Sequence, residues 1–341
     1  MTSPARKVSL TGIKPTGEPH LGNLLGAIQP ALRLTGQYDS MYFVADYHAL
    51  TTVRDADELA RSSRSVAAIW LAAGLDPERS VVYRQSDLPE VFELSWVLSC
   101  VAAKGLMNRA HAYKAARDLN QGLGRSDLDA GVNMGLYNYP VLMAADILIA
   151  DADVVPVGRD QLQHVEIAAD VAGSFNHAFG DRYRLKIPQA IVPEAVAASV
   201  PGLDGRKMSK SYDNAIPLLS EPAALRKLVR RIATDSTGVD EPKDPDTSVP
   251  FQLLELFAEP QLAADVRGRL AAGGMGWGQL KDALGDTLVE ALTPIRTAYH
   301  DLMRPDSDLD AILADGRDRA RERARPVLEG VRSAVGVAAK H

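Results

Sequence analysis

Apolar positions change their period along the chain, and the changes mark out its elements. Val8 to Ile13 alternates loosely and predicts a short strand, whereas from Asn23 onward Leu24, Leu25, Ile28 and Leu32 recur at helical spacing. Met41 to Ala45 is a short apolar run of the kind that forms a buried strand. Asp55 and Glu58 make a capping pattern, and a helix is expected from there to about Ala73, with Leu59, Val66, Ile69, Trp70 and Ala73 inward. Gly74 stops it, Val81 to Tyr83 is the next strand, and Glu90 to Ala102 is helical with Val91, Leu94, Leu98 and Val101 on one face. Val154 to Val157 is a further buried strand, and Gln163 begins a helix. Strands and helices alternating at these lengths predict an α/β unit with a parallel sheet and right-handed crossovers.

Beyond Asn214 the pattern is helical. Leu218, Leu219, Ala223, Leu225, Leu228, Val229 and Ile232 are its first apolar positions, and amphipathic helices follow at Phe251 to Phe257, Leu280 to Met303 and Leu309 to Val335. Gly238 to Pro250 is a Pro/Asp-rich loop or hinge. Two units are therefore expected, one over 1–216 and one over 217–341.

Length and composition agree with this division. A chain of 341 residues suits two domains, or one large domain with an appendage, and 46% apolar content is ample for a packed core. Its single cysteine, Cys100, excludes a disulfide framework and any cysteine-based metal cluster, and its apolar surroundings predict a small core residue. Arg6 and Lys7 near the start are followed by no apolar run long enough for a signal peptide, and no stretch reaches membrane-spanning length, so a cytoplasmic protein without membrane partners is expected. The net charge of −6 counts mildly against a nucleic-acid partner, but phosphate contact needs only a local basic face. Lys104, Arg109, Lys114, Arg117 and Arg125 lie in a polar stretch over 104–138. Arg226, Lys227, Arg230 and Arg231 crowd a later helix, and Arg317, Arg319, Arg321, Arg323 and Arg325 alternate along the last. Each group is either a binding face or plain solvation.

Two loops carry phosphate chemistry. Lys207-Met208-Ser209-Lys210-Ser211 follows glycines that supply bends, and its two ammonium groups suit a polyphosphate. Far upstream, Pro15 to Pro19 is turn chemistry, and His20-Leu21-Gly22-Asn23 stands where a strand hands over to a helix N-terminus, a ready anion site. Gly22 there lets a nucleotide come close to the backbone.

The pair resembles the two signatures of the class I aminoacyl-tRNA synthetases. Tyr139-Pro-Val-Leu-Met-Ala-Ala-Asp-Ile-Leu148 with Val154-Val-Pro-Val-Gly-Arg-Asp-Gln-Leu-Gln-His164 narrows the likeness to the bacterial tryptophanyl members. The resemblance implies a Rossmann-like catalytic domain over 1–216, with the 104–138 insertion at a homodimer interface near the tRNA acceptor arm, and a helical anticodon-binding domain over 217–341. It implies that L-tryptophan is activated by ATP, with Mg²⁺ accompanying the ATP and no tightly bound metal, and is passed to tRNA(Trp). His20, Asn23, Lys207 and Lys210 would be the catalytic groups. ATP would be met by Lys14, Pro15, Thr16, Gly22, Asn23, Gly158, Arg159, Asp160, Val200, Lys207, Met208, Ser209, Lys210 and Ser211. Tryptophan would be met by Leu10, His48, Tyr139, Met143, Asp146, Val155, Val157 and Gln161.

Asp146 draws notice without the resemblance, as the one charge inside the apolar run Leu142 to Ile149. It faces solvent, pairs with a cation, or accepts a ligand's hydrogen bond; the resemblance supplies an indole N–H. His48, beyond the end of a parallel strand, is either near the substrate or a satisfied structural histidine. Met143 offers a soft apolar wall where tyrosyl relatives usually carry glutamine, which favours tryptophan. His164 and Glu166 are too sparse for a zinc site. The chain departs from many bacterial relatives at Lys14, His20 and Tyr47, where glutamine, threonine and glutamine are common, at Arg159, where glutamate is, and in the short stretch Ser199 to Arg206. Lys14 could partly replace Mg²⁺ beside the phosphates. Two alternatives stay open: a small-molecule adenylyltransferase of the same nucleotide-binding fold, and an auxiliary, inhibitor-tolerant or regulatory copy of the synthetase.

Overall fold

In a computed structural model describing residues 6–192 and 200–337, five strands form one parallel sheet. They are β1 (Val8–Ile13), β2 (Asp39–Val44), β3 (Val81–Arg84), β4 (Val154–Pro156) and β5 (Gln189–Ile191), in the order β3-β2-β1-β4-β5. β1 and β2 pair from Val8↔Asp39 to Ile13↔Val44, and β1 meets β4 at Ser9↔Val154. The chain winds outward from β1 to β3 and then crosses back to start β4 on the other side. This reversal opens a crevice beyond the C-terminal ends of β1 and β4, where ligands bind in sheets of this type.

The principal helices are α1 (Ala56–Ala72), α2 (Glu90–Ser99), α3 (Met134–Ile149), α4 (Leu162–Phe179), α5 (Pro222–Arg230), α6 (Trp277–Met303) and α7 (Leu309–Val335). Asp55 caps α1 as expected, Oδ1 accepting from the Glu58 N–H at 2.8 Å. The helical run after β1 comprises Leu21–Asn23, Leu24–Ile28 and Gln29–Leu32, and its middle piece is π-type. Pro30 explains the widened turn, because it has no N–H to give the carbonyl four residues back.

Alternation along the strands sends side chains to two cores. Met41 and Phe43 of β2 join Leu10, Val81 and Tyr83 against α2, α3 and α4. Tyr42 and Val44 face the other way, onto Leu21, Leu24, Trp70 of α1, and the apolar faces of α5 and α6. The last helix has the bounds that its periodicity predicts, but it shares the sheet's first core through Ala320, Ala324, Val327, Leu328 and Val331. Its arginines are engaged there. Arg321 pairs with Glu90 at 2.9 Å, Arg323 pairs with Asp39, Arg332 meets Glu93 at 2.6 Å, and Arg319 donates to the Pro77 carbonyl at 2.7 Å.

Gly316 marks the tightest point of this docking. A Cβ there would lie 1.8 Å from the Val82 carbonyl oxygen, so Gly316→Ala must push α7 off β3. A loss of about 3 kcal/mol is expected, at the upper end of overpacking costs. It is read as a lower denaturant midpoint, and an unchanged midpoint would show that α7 is not seated this way.

Cys100 is a correction: it is exposed, not a core residue. The inward positions of α2 are Val91, Leu94 and Leu98, and Cys100, the C-cap that follows its last residue, continues the turn onto the opposite side.

Candidate functional site

The crevice holds a cavity of about 510 Å³. All eight residues expected to meet the amino acid line it: Leu10, His48, Tyr139, Met143, Asp146, Val155, Val157 and Gln161. They come from β1, from the turn after β2, from α3, and from β4 with its following turn. Gly12 and Phe43 line it too, and they fit only together, since a Cβ on Gly12 would stand 2.5 Å from the Phe43 ring.

Asp146 is the carboxylate of this largely apolar chamber, whose lining also includes Lys14. It is 2% exposed, and the apolar residues of α3 pack around it. Such a carboxylate must be paired or hydrogen-bonded. His48 Nε2 stands 2.9 Å from Oδ2, and Gln85 Nε2 is 2.9 Å from each oxygen. Burial pushes the Asp146 carboxyl above its usual range, while the bonds from His48 and Gln85 pull it back. Tyr139 Oη and His164 Nε2 close another wall at 2.5 Å, and burial raises the phenol's pKa.

The two phosphate-type loops, nearly two hundred residues apart, are joined by backbone. Leu21 N–H donates to the Ile216 carbonyl at 3.0 Å, and Leu218 N–H to that of Pro19 at 2.9 Å. Side chains complete the junction. A Cβ on Gly22 would lie 2.9 Å from the His20 ring and 3.5 Å from Met208 Cβ, so this glycine lets both signatures close on the helix start. Asn214 pins the second loop, accepting from Ser209 N–H at 2.8 Å and donating to Asp204 at 2.7 Å and to the Lys207 carbonyl at 3.1 Å. Asn23 Oδ1 accepts from the His20 N–H at 3.0 Å.

A second cavity, of about 560 Å³, lies at this junction, lined by Lys14, Thr16, His20, Asn23, Ser209 and Lys210 with an apolar floor that includes Trp70. Lys210 Nζ reaches the Thr16 carbonyl at 3.0 Å, and Lys14 Nζ reaches Thr51 Oγ1 at 2.9 Å. Lys14 lines both cavities and thus stands between them. Burial depresses the pKa of His20, with the Lys210 charge adding to the effect, and the ring is neutral at ordinary pH. Its Nδ1 is buried without a hydrogen-bond partner among the described residues. Two ammonium groups and the positive end of a helix make this junction suited to a polyphosphate.

Other expected residues stand apart. Lys207 and Ser211 are exposed and line neither cavity, Met208 is buried, Pro15 is buried between Lys14 and Thr16, and Val200 holds the loop by accepting from Met208 N–H at 2.8 Å. Gly158 and Arg159 lie at the end of β4, outside the linings of both cavities. The Asp160 side chain and Ser199 lie outside the described residues. Among the described residues no group of three or more His, Cys, Asp and Glu could hold a metal ion. Gln85, Thr51, Gly12 and Phe43 were not legible as site residues, since each owes its place to a partner on a neighbouring strand or turn.

Some cations of the basic stretches are engaged within the fold. Arg226 meets Asp286 at 2.8 Å, Arg230 meets Asp282 at 2.5 Å, and Arg125 donates to Asn120 at 2.8 Å.

Comparison with known proteins gives a consistent result. Residues 5–293 match the family described as tRNA synthetases class I (W and Y). The chain is 52% identical to the tryptophan–tRNA ligase of Pseudomonas putida over 331 residues, 96% of this chain and 73% of that protein. It is 50% identical to that of Xylella fastidiosa, over 96% of this chain and 75% of the relative. A solved tryptophanyl-tRNA synthetase from Campylobacter jejuni, complexed with ADP and tryptophan, superposes with a TM-score of 0.87 at 39% identity, covering 96% of this chain and 99% of that one.

Proposed function

The chain belongs to the class I tRNA synthetases of the tryptophan and tyrosine group, and from that premise we propose that it ligates tryptophan to tRNA. The tryptophan carboxylate attacks the α-phosphorus of ATP, the bond to the bridging oxygen breaks, and pyrophosphate leaves. A hydroxyl of the tRNA's 3′-terminal adenosine then attacks the acyl carbon, and AMP leaves. The observation that carries the reading is Asp146, a buried carboxylate in a largely apolar chamber, where an indole N–H finds an acceptor and Met143 offers a phenol nothing. Catalysis is positioning and charge stabilisation. In this reading His20, Gly22 and Asn23 lie under the nucleotide with Lys14, Pro15 and Thr16. Lys207 and Lys210 stabilise the departing pyrophosphate, and Gly158, Arg159 and Asp160 approach ATP. The test is tRNA aminoacylation with tryptophan and tyrosine in parallel, and charging with tyrosine alone would overturn the assignment.

The 217–341 helices would meet the anticodon arm and the 104–138 insertion the acceptor arm. The same reading includes a homodimer and action in the cytoplasm. Exposed Trp96, Leu119, Leu123 and Met134, on and beside the insertion, support the dimer. No helix among the described residues is long and apolar enough to cross a membrane.

Mg²⁺ would accompany ATP. The Lys14 ammonium, between the two cavities and depressed in pKa by burial, supplies a fixed charge near the same phosphates. Lys14→Gln is therefore expected to raise the Mg²⁺ needed for half-maximal activation by about three- to tenfold. An unchanged Mg²⁺ titration would remove Lys14 from charge neutralisation.

A further inference from the structure

Behind the Asp146 carboxylate stands a residue that lines no part of the amino-acid cavity. Gln85 opens the 3₁₀ turn Gln85–Asp87 after β3 and is completely buried. The two ends of its amide do different work. Oε1 accepts the backbone N–H groups of Tyr47 at 3.1 Å and His48 at 3.3 Å, which fixes the orientation of the amide. Nε2 is thereby turned to Asp146 and shared between its oxygens. The neighbouring turn returns the favour. Asp46, buried after β2, accepts from Ser86 N–H at 3.0 Å, from Ser86 Oγ at 2.5 Å and from Tyr47 N–H at 3.0 Å. The turns after β2 and β3 each bind the other's backbone through a side chain, so neither moves alone.

We propose that Gln85 is a positioning residue for amino-acid selection: with His48 it orients the Asp146 carboxylate so that Oδ1 is left open as the acceptor for the N–H of a heteroaromatic side chain. The proposal rests on the tryptophan reading above. An ionised carboxylate has about four lone-pair sites. Oδ2 takes the His48 bond and a share of Gln85, whereas Oδ1 takes only a share of Gln85. An aspartate's terminal torsion is broad, so without the amide the carboxylate is free to turn Oδ1 out of register. The chamber's apolar walls would remain.

Gln85→Met and Gln85→Glu test this in ATP–pyrophosphate exchange, with tryptophan and with β-(benzothiophen-3-yl)alanine, in which sulfur replaces the indole N–H. The unaltered protein should prefer tryptophan by about 10- to 150-fold, the worth of one hydrogen bond to a charged group. Gln85→Met should raise the KM for tryptophan about tenfold while kcat stays within about threefold and the analogue's KM holds, so the preference shrinks. If both KM values rise together and the preference survives, Gln85 is packing and the proposal fails. Gln85→Glu sets a second carboxylate against Asp146, whose other titratable neighbours are His48, Asp46 and Tyr83. At low pH a proton shared by the two carboxylates does the amide's work, and at higher pH both are charged. The KM for tryptophan should thus be near the unaltered protein's at acid pH and climb above it as pH rises. A profile parallel to the unaltered protein's would also overturn the proposal. Absence of tryptophan-dependent exchange in the unaltered protein would instead contradict the ligase reading itself.

Discussion

Asp146→Ala is expected to raise the KM for tryptophan by about 100-fold or more without creating activity toward tyrosine. The hydrogen bond lost from the indole N–H contributes about 1.5–3 kcal/mol, or roughly 10- to 150-fold in affinity. The substitution also strands the donors of His48 and Gln85, which now both bond the carboxylate, and that adds a desolvation cost. Tyrosine gains nothing, because its phenol still meets Met143 and the valines of β4 and its following turn. The readout is the KM for each amino acid in exchange, with a thermal melt to show that the variant folds. A folded variant with an unchanged KM for tryptophan would remove Asp146 from substrate recognition.

Lys210→Ala should act on rate instead of binding. Its ammonium lines the junction cavity with His20 and Asn23 and is held by the Thr16 carbonyl at 3.0 Å. There it faces the charge that accumulates as pyrophosphate departs. Removing one preorganised charge-stabilising donor typically costs about 10²–10³ in kcat. Tryptophan affinity, measured by equilibrium binding without ATP, should be unaffected, since Lys210 lies outside the amino-acid cavity. Lys210→Arg should recover little, because a planar guanidinium does not reproduce a compact ammonium at a fitted site. A fall in tryptophan affinity with kcat intact would reverse the assignment.

Much of this arrangement was legible in the sequence because it is local or periodic. Strands β1 to β4, α1 with its Asp55 cap and α7 follow from spacing, whereas the three-residue β5 is too short to leave a periodic signal, and Asp146 announces itself as one charge in an apolar run. The residues assigned to the amino-acid cavity converge because strand ends and following turns share one crevice. What could not be read depends on partners distant in sequence. Gln85 lies in a short turn with no periodic signal, and its importance arises only when β2 and β3 align their ends. The arginines of α7 resemble a solvent-facing or nucleic-acid-binding stripe until Glu90, Glu93 and Asp39 are seen opposite them. Cys100 was assigned by the hydrophobicity of its stretch, but the helix phase turned it outward. The backbone junction between residues 19–21 and 216–218 has no side-chain signature at all.

Amino-acid-dependent ATP–pyrophosphate exchange, with tryptophan, tyrosine and no amino acid side by side and without tRNA, tests the central claim most directly. Exchange with tryptophan and with neither of the other two is the expected result. No exchange from folded protein that still binds tryptophan would contradict it, and would point to a copy that senses the amino acid without activating it.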